Sequence, residues 1–282
     1  MSSIEWSGSN LPILRIYPFS STDGPGNRYA IYLAGCNLNC KSCHNPESIY
    51  ICDSCGACLD SCEFDALHLD RGTMVYTLDN CTKCDRCIYT CTKLSSPKRI
   101  PMSDDDIIAD IIKRKDYVRG VTFSGGEATL HHKRLIPLIR RIKDLGLSVL
   151  IDSNGHFQMT PEFQEFVDVV DQFMLDVKFL DDAVHMEYTG VSNQMILSNL
   201  QELLKQDKIF EVRTVLYGQP DNSQDIKAIS TLFPSNILYK IIPYHTHGVR
   251  SNYRSLFDLP TTKQLEELRN YFQSTGRKFT IL

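Results

Sequence analysis

The residues of this sequence best suited to chemistry are its 11 cysteines, all of which lie within one stretch near the N-terminus. An odd number of crowded cysteines argues against a disulfide framework and for metal binding. The first three have the spacing C-x3-C-x2-C, and the other eight form two arrays with the spacing C-x2-C-x2-C-x3-C. The three groups are Cys36, Cys40 and Cys43, then Cys52, Cys55, Cys58 and Cys62, then Cys81, Cys84, Cys87 and Cys91.

The C-x3-C-x2-C group supplies three thiolates, whereas a cubane iron–sulfur cluster has four irons. The fourth iron is then open to a ligand from outside the protein, and an open position is typical of a catalytic metal site. The alternatives are three free cysteines, or a zinc site that takes His44 as its fourth ligand. Because the group follows a predicted strand over residues 29–33, where α/β proteins bind ligands, its position favours the catalytic cluster.

The two longer arrays repeat each other, with each cysteine of the second lying 29 residues after its counterpart in the first. Their spacing matches the bacterial ferredoxin pattern, in which the fourth cysteine serves the other cluster. One [4Fe–4S] cluster would be held by Cys52, Cys55, Cys58 and Cys91, and the second by Cys81, Cys84, Cys87 and Cys62. A four-cysteine zinc site is the alternative, but it leaves four regularly spaced cysteines unexplained.

Outside the cysteine-rich stretch, apolar segments alternate with helical patterns. Strands are predicted over residues 29–33, 121–124, 147–152, 172–177, 210–217 and 237–243. Ser103 and Asp106 indicate a capped helix, and a second helix over residues 135–145 ends before Gly146. The pattern predicts an α/β fold, a partial (β/α)6 barrel with a parallel sheet and right-handed crossovers. Residues 1–46 and 101–282 would form the barrel, and residues 47–100 an inserted ferredoxin-like domain.

Composition excludes several functional classes. The net charge of −4 gives no general attraction to nucleic acid, and no apolar run is long enough to span a bilayer. The first ten residues lack the basic and apolar regions of a secretory signal. A cytoplasmic protein without nucleic-acid or membrane partners is expected.

Polar residues and glycines recur at the ends of the predicted strands. A single Gly-Gly-Glu is often only a tight turn, but six such elements at six successive strands indicate a ligand site. After the cysteine motif come Gly125, Gly126 and Glu127, then Asp152 and Ser153, then Met174, Asp176, Val177 and Lys178, then Arg213, and finally His245.

With these motifs the sequence resembles the radical S-adenosylmethionine superfamily, and within it the glycyl radical enzyme activases, such as pyruvate formate-lyase activase. The resemblance covers nearly the whole chain. Its most specific parts are Asp-Gly-Pro-Gly at residues 23–26, the cysteine motif at 35–46 and Ser-Gly-Gly-Glu at 124–127. Residues 151–155, 174–176 and 245–248 resemble most the two-cluster YjjW type.

The resemblance implies a role for each element. Cys36, Cys40 and Cys43 would hold the catalytic [4Fe–4S] cluster, whose open iron binds the amino and carboxylate groups of S-adenosylmethionine. Gly126 would let the backbone approach the methionyl amine, and Lys178 would meet the carboxylate. Others would complete the cofactor site, with His245 near the ribose: Ser42, Cys43, His44, Gly125, Glu127, Asp152, Ser153, Asp176, Val177, Arg213 and His245.

A monovalent cation, Na⁺ or K⁺, is also implied beside the cofactor carboxylate. Its ligands would come from Asp152, Ser153, Met174 and Asp176, with Met174 contributing its backbone carbonyl because hard cations prefer oxygen. The sequence departs from the family where it has Ser153 in place of Thr and Ser42 in place of an aromatic residue.

The implied reaction is reductive cleavage of S-adenosylmethionine to methionine and a 5′-deoxyadenosyl radical, which takes hydrogen from Cα of a glycine on a partner glycyl radical enzyme. A flavodoxin or ferredoxin-type protein would supply the electron, and the activase is expected to be a monomer. Asp23, Gly24, Pro25 and Gly26 would contact the partner, unless they form an ordinary turn. The two further clusters would relay electrons, stabilise the fold or aid docking. The alternative functions are a radical enzyme acting on a small molecule or peptide, and an electron carrier.

Overall fold

The computed structural model describes residues 10–282, so most of the segment on which the absence of a secretory signal was inferred lies outside the described part. The described chain forms two compact units. The first runs up to Asn37 and continues from Asn45 to Val149, and the second comprises Leu38–His44 and Leu150–Leu282. The C-x3-C-x2-C motif is therefore divided, with Cys36 in the first unit and Cys40 and Cys43 in the second.

The first unit contains a small sheet and a separate hairpin. Its strands are β1 Ile13–Ser20, β2 Arg28–Leu33, β3 Leu67–Asp70, β4 Thr73–Tyr76 and β5 Gly120–Gly125. Strand β2 pairs in parallel with β5 and antiparallel with β1, while β3 and β4 pair only with each other. Its helices are α1 Arg86–Thr90, α2 Asp104–Ile112 and α3 His132–Asp144.

The second unit is built on parallel strands, the first of which, β6, starts in the first unit. The strands are β6 Ser148–Ser153, β7 Gln172–Asp176, β8 Ile209–Leu216, β9 Leu238–Pro243 and β10 Phe279–Ile281, and each pairs in parallel with the next. The helices are α4 Pro161–Val169, α5 Asp182–Thr189, α6 Gln194–Lys205, α7 Ser223–Ile229 and α8 Thr262–Ser274. Every α-helix here lies between two strands, as parallel pairing requires.

The α/β class and all six predicted strands are confirmed, because β2 and β5 to β9 match them within two residues. These strands are mostly buried, as expected for parallel strands with near-continuous apolar runs. Strands β1, β3, β4 and β10 were not predicted. Pro18 lies within β1, which forms an edge of its sheet, where proline is tolerated. None of the helices described is both long and apolar enough to cross a membrane.

The predicted helix caps are also observed. Ser103 accepts a hydrogen bond from the Asp106 N–H and Asp106 accepts one from the Ser103 N–H, which together make a capping box at the start of α2. Helix α3 begins at His132, three residues before the predicted start. Pro137 suggested the later start because proline is preferred in the first turn, yet it lies inside the helix.

Candidate active site

The second unit fixes the segment that carries Cys40 and Cys43. Backbone hydrogen bonds attach it to the end of α5, and the Cys43 N–H also donates to the Cys40 carbonyl at 3.2 Å. The two bonds to α5 run from Asn39 to Thr189 at 2.9 Å and from Lys41 to Tyr188 at 2.8 Å. The backbone of this part of the cysteine motif is therefore positioned by a helix terminus.

Two side-chain cations act on Cys40. The Arg250 guanidinium donates to the Cys40 carbonyl oxygen at 2.9 Å, and Lys178 donates to the Asp176 carboxylate at 2.8 Å. Burial raises the pKa of the Cys40 thiol; the charge of Lys178 opposes this rise, Asp176 adds to it and Arg250 opposes it. Because iron binds the thiolate, the two cations favour the form that a cluster ligand needs.

Lys178 keeps its charge at this site. Burial alone would lower its pKa, but attraction to Asp176 and to the Cys40 thiolate holds the pKa well above its ordinary value. A charged ammonium suits a bound carboxylate. The contact between Lys178 and the cofactor stays a prediction.

His44 and His245 form a flat aromatic surface. Their rings stack with centroids 4.0 Å apart and planes 14° apart, and Nε2 of His44 is 3.0 Å from the His245 carbonyl oxygen. Burial and, to a smaller extent, the charge of His245 lower the pKa of His44 to about 4, so His44 is neutral at neutral pH. Gly248 is required here, since a Cβ on it would lie 2.1 Å from the His44 carbonyl oxygen.

Ser42 is held by a residue that the sequence did not single out. Its hydroxyl is 2.7 Å from that of Tyr217, whose pKa is raised by burial. Tyr217 belongs to a buried aromatic cluster with Phe179, Tyr244 and Phe257. The position of Tyr217 at the end of a predicted strand was the available signal. The small side chain of Ser42 thus contacts an aromatic residue, Tyr217, which directly follows β8.

Two buried polar atoms near these residues have no hydrogen-bond partner among the described residues. They are the Tyr244 hydroxyl and Nε of Arg250. Buried polar groups are nearly always satisfied, so both are suited to binding a polar group from outside the chain. Together with charged Lys178 and the histidine stack, they make this face of the second unit fit a cofactor that has carboxylate, hydroxyl and aromatic parts.

Charged residues of three strands, joined by a methionine of a fourth, form a buried network. The Arg213 side chain is only 9% exposed and bonds to Asp152 at 3.0 Å and to Glu211 at 2.5 Å. Glu211 also accepts from Lys240 at 3.1 Å, and Arg213 donates to the Met174 sulfur at 2.9 Å. Burial alone would lower the pKa of Arg213, but Asp152 and Glu211 raise it. The sequence analysis did not single out Glu211 or Lys240. Each is a charged residue within an otherwise largely apolar predicted strand, and that pattern could have identified it.

This network bears on the predicted cation ligands. Asp152 and Asp176 are each paired with a side-chain cation, Arg213 and Lys178 respectively. The Ser153 hydroxyl accepts from the Gly155 N–H at 3.0 Å. Over residues 10–282, no group of three or more His, Cys, Asp or Glu residues is arranged to hold a single metal ion, so neither Asp152 nor Asp176 belongs to such a group.

The Gly-Gly-Glu segment packs against the first unit's own backbone. A Cβ on Gly125 would lie 2.2 Å from the Leu33 carbonyl oxygen, and one on Gly126 would lie 2.2 Å from that of Gly35. The Glu127 carboxylate is buried and accepts hydrogen bonds from the backbone and side chain of Thr129 at 3.1 and 2.6 Å. The glycines are therefore needed for close chain packing, and Glu127 caps the next turn.

Asp23 was predicted to contact a partner protein, but its side chain is buried within the chain. It is 6% exposed, and its carboxylate accepts from the Tyr32 hydroxyl at 2.6 Å and from the Ser20 hydroxyl. Its carbonyl accepts from the Thr122 hydroxyl at 2.7 Å. By contrast, the loop tip at Pro25 and Gly26 is exposed. Asp23 braces the loop, and the tip is the part that faces solvent.

The eight cysteines of the two longer arrays all belong to the first unit. Cys58 and Cys87 are buried in an apolar cluster with Leu67 and Met74, which Cys52 and Cys62 contact. A small cavity is lined by the four cysteines Cys62, Cys81, Cys84 and Cys87. These are the four that the ferredoxin pattern assigns to one cluster, so the donor set fits that group.

The other predicted ligand set includes Cys52, Cys58 and Cys91, whose charges affect one another's pKa. Burial and, to a smaller extent, the charges of Cys87, Cys52 and Cys91 raise the pKa of Cys58 to about 11. Cys91 also acts on Cys52. Cysteines of the second array, Cys87 as well as Cys91, thus influence cysteines of the first.

Comparison with known proteins agrees with this chemistry. A family model described as a 4Fe-4S single cluster domain matches residues 71–197. A putative glycyl-radical enzyme activating enzyme of Haemophilus influenzae is 28% identical over 94% of both chains. The trans-4-hydroxy-L-proline dehydratase activating enzyme of Clostridioides difficile is 28% identical over 94% of this chain and 96% of its own. The choline trimethylamine-lyase activating enzyme of Oleidesulfovibrio alaskensis is 29% identical over 84% of each.

Solved structures share the fold at lower identity. QueE from Escherichia coli has a TM-score of 0.53 and 16% identity, with 98% of this chain and 95% of that chain covered. Streptococcus suis SuiB bound to S-adenosylmethionine has a TM-score of 0.52 and 15% identity over 67% of this chain and 46% of its own. These likenesses show a shared fold. By sequence, the chain is similar over most of its length to proteins named as activating enzymes, among them a putative glycyl-radical enzyme activating enzyme.

Proposed function

We propose that this protein activates a glycyl radical enzyme by forming a radical on one of the partner's glycines. The observation that carries the proposal is its homology, along almost the whole of both chains, to enzymes named for that activity. When bound, an iron–sulfur cluster and S-adenosylmethionine would supply the chemistry of reductive cleavage and hydrogen abstraction. The protein binds these groups, orients them toward the partner and excludes water.

The cluster ligands in this proposal are Cys36, Cys40 and Cys43. Support comes from Lys178 and Arg250, whose charges favour the Cys40 thiolate. Lys178 would then turn its ammonium to the cofactor carboxylate, for which its retained charge is suited.

The nucleoside part of the cofactor would lie against the stacked rings of His44 and His245. A neutral, flat surface suits an adenine ring, and the lowered pKa of His44 keeps that ring uncharged. Gly126 would offer its backbone to the methionyl amine, with the remaining predicted cofactor residues around it.

The insert would hold two further [4Fe–4S] clusters, as in the two-cluster YjjW type. The cavity lined by Cys62, Cys81, Cys84 and Cys87 supports the second of these ligand sets. These clusters would pass electrons from a flavodoxin or ferredoxin-type donor to the catalytic cluster.

A monovalent cation would complete the cofactor site, with ligands from Asp152, Ser153, Met174 and Asp176. Binding would require Asp152 and Asp176 to share their carboxylates between the cation and their partners Arg213 and Lys178. Carboxylates can do so because each has two oxygens with several lone pairs.

The test of the activase function is isotope transfer. Reduced protein is mixed with a glycyl radical enzyme whose glycine carries deuterium at Cα. We expect a glycyl radical signal by electron paramagnetic resonance and deuterium in 5′-deoxyadenosine. The activase proposal would be wrong if every partner enzyme remained radical-free and 5′-deoxyadenosine took deuterium only from a labelled small metabolite. The protein would then be an enzyme that acts on small molecules.

A further inference from the structure

A lysine of the first unit lines the small cavity whose walls include four of the insert's cysteines. Lys98 lines the cavity together with Cys62, Cys81, Cys84 and Cys87. Its side chain is 15% exposed, whereas that of Lys93, also in the insert, is 53% exposed. A charge that is shielded from water acts more strongly on its neighbours than an exposed one.

One carboxylate partly neutralises this lysine. Nζ of Lys98 is 2.5 Å from Oδ1 of Asp85, whose side chain is 47% exposed. Asp85 lies between Cys84 and Cys87 in sequence, immediately before α1. The ammonium is therefore the more buried member of the pair and the one that lines the cavity.

Lys98 lines the same cavity as Cys81 and Cys87, so its ammonium charge acts on the space that these two cysteines border. Cys81 also accepts a hydrogen bond from the Lys83 N–H at 3.4 Å.

We propose that Lys98 raises the reduction potential of the [4Fe–4S] cluster held by Cys62, Cys81, Cys84 and Cys87, and that Asp85 limits this rise. The inference rests on the two-cluster insert proposed above. Reduction adds one electron to the cluster, and a nearby positive charge stabilises that added negative charge. Lys98 binds no iron; it is a residue that sets the potential through its charge.

Two substitutions separate charge from packing. Lys98→Met removes the positive charge and keeps an unbranched side chain of similar length. Asp85→Asn removes the negative charge at almost constant shape. Asp85 has φ of 59°, a left-handed conformation that asparagine also tolerates, so its backbone should be retained. Both variants break the same ion pair, but they change the charge at the cavity in opposite directions.

The experiment uses the full-length chain with Cys36, Cys40 and Cys43 replaced by Ala, so that only the insert's clusters remain. Midpoint potentials are measured in an anaerobic dithionite titration followed by electron paramagnetic resonance. At the parent midpoint, Lys98→Met should lower the reduced-to-oxidised ratio of one cluster about threefold to tenfold, and Asp85→Asn should raise it. A tenfold change corresponds to about 59 mV for one electron. Lys98→Arg should stay near the parent value, and Lys93→Met should have a smaller effect.

The outcomes are distinct. Shifts in the same direction for Lys98→Met and Asp85→Asn would identify a packing effect and overturn the proposal, as would no shift in either. If Lys98→Met fails to assemble its cluster, the direction of the Asp85→Asn shift decides. Iron content is measured separately: about eight irons in the parent background supports the two clusters, whereas zinc in their place contradicts the proposed insert and not only the role of Lys98.

Discussion

The Tyr32 hydroxyl donates a hydrogen bond to the Asp23 carboxylate over 2.6 Å, and so links β2 to the loop at residues 23–26. Because the carboxylate is turned inward, Asp23 supports the exposed loop tip and does not itself face a partner. Asp23→Ala and Tyr32→Phe should both lower the rate of glycyl radical formation, Asp23→Ala by roughly tenfold, since a charged hydrogen bond contributes about 1.5–3 kcal/mol. Uncoupled cleavage of S-adenosylmethionine should be spared.

A suitable control for that prediction is Tyr17→Phe, which removes the hydroxyl of an exposed tyrosine beside Tyr32. Radical formation should remain near the parent rate. Equal losses in radical formation and in uncoupled cleavage for Asp23→Ala would instead place Asp23 in support of the cofactor site.

The cysteine assignments predict the metal content. Anaerobically reconstituted protein should contain about twelve irons and a similar amount of sulfide, and Ala at positions 36, 40 and 43 should leave about eight. That variant should not cleave S-adenosylmethionine. Iron, sulfide and zinc are measured together, and one zinc per chain with only four irons would contradict the ferredoxin pattern of the insert.

Gly248 should be needed for cofactor binding because it leaves room for the backbone of His44. Gly248→Ala places a methyl group against the His44 carbonyl and should displace the His44–His245 stack, weakening S-adenosylmethionine binding at least about tenfold. Gly276→Ala is the matched control, since Gly276 also has a positive φ of 64° but has no atom within 4 Å of the added Cβ.

Both glycine variants should lose about 1–2 kcal/mol of stability from backbone strain. Binding is measured by isothermal titration calorimetry on reconstituted protein, and stability by thermal unfolding. Parent-like affinity for Gly248→Ala would show that the histidine stack does not contact the cofactor.

The proposed cation site predicts an ion dependence. Raising K⁺ or Na⁺ at constant ionic strength, with choline as the replacement, should tighten S-adenosylmethionine binding. Asp152→Asn and Asp176→Asn should weaken that binding and reduce its ion dependence, because an amide attracts a cation less than a carboxylate. An affinity for S-adenosylmethionine that does not change with the cation would rule out the site, and Asp152 would then keep its ion pair with Arg213 without binding a cation.

His185 should make stability fall in mild acid. It is fully buried in α5, its Nδ1 is 2.8 Å from the Val191 carbonyl, and burial lowers its pKa below the ordinary value near 6.5. In mild acid the unfolded chain therefore binds a proton at His185 more readily than the folded chain does. The free energy of unfolding falls as the pH drops below about 6.5.

The test of this pH dependence is urea unfolding between pH 8 and pH 5.5. His185→Asn should show a flatter decline than the parent, with each unit of lost pKa shift worth about 1.4 kcal/mol. His68→Asn, at an exposed position of β3, should follow the parent curve. An unchanged slope in His185→Asn would assign the acid sensitivity to other groups.

Much of this protein could be predicted from residue types and spacing. The number and spacing of cysteines determine how many irons the chain can ligate, because each thiolate holds one iron. The alternation of apolar strands with capped helices determines the α/β class, and the six predicted strands were found. The predicted enzyme class is confirmed by the curated relatives.

The tertiary structure decided which polar groups meet. Asp152 of β6 lies far in sequence from Glu211 and Arg213 of β8, and only the order and register of β6, β7 and β8 bring Asp152 to Arg213. Spacing could place Asp23 in a loop, but burial against Tyr32 turned its carboxylate inward. Spacing counts ligands along one chain, whereas ion pairs and hydrogen bonds need atoms about 3 Å apart in space, which only the packed chain determines.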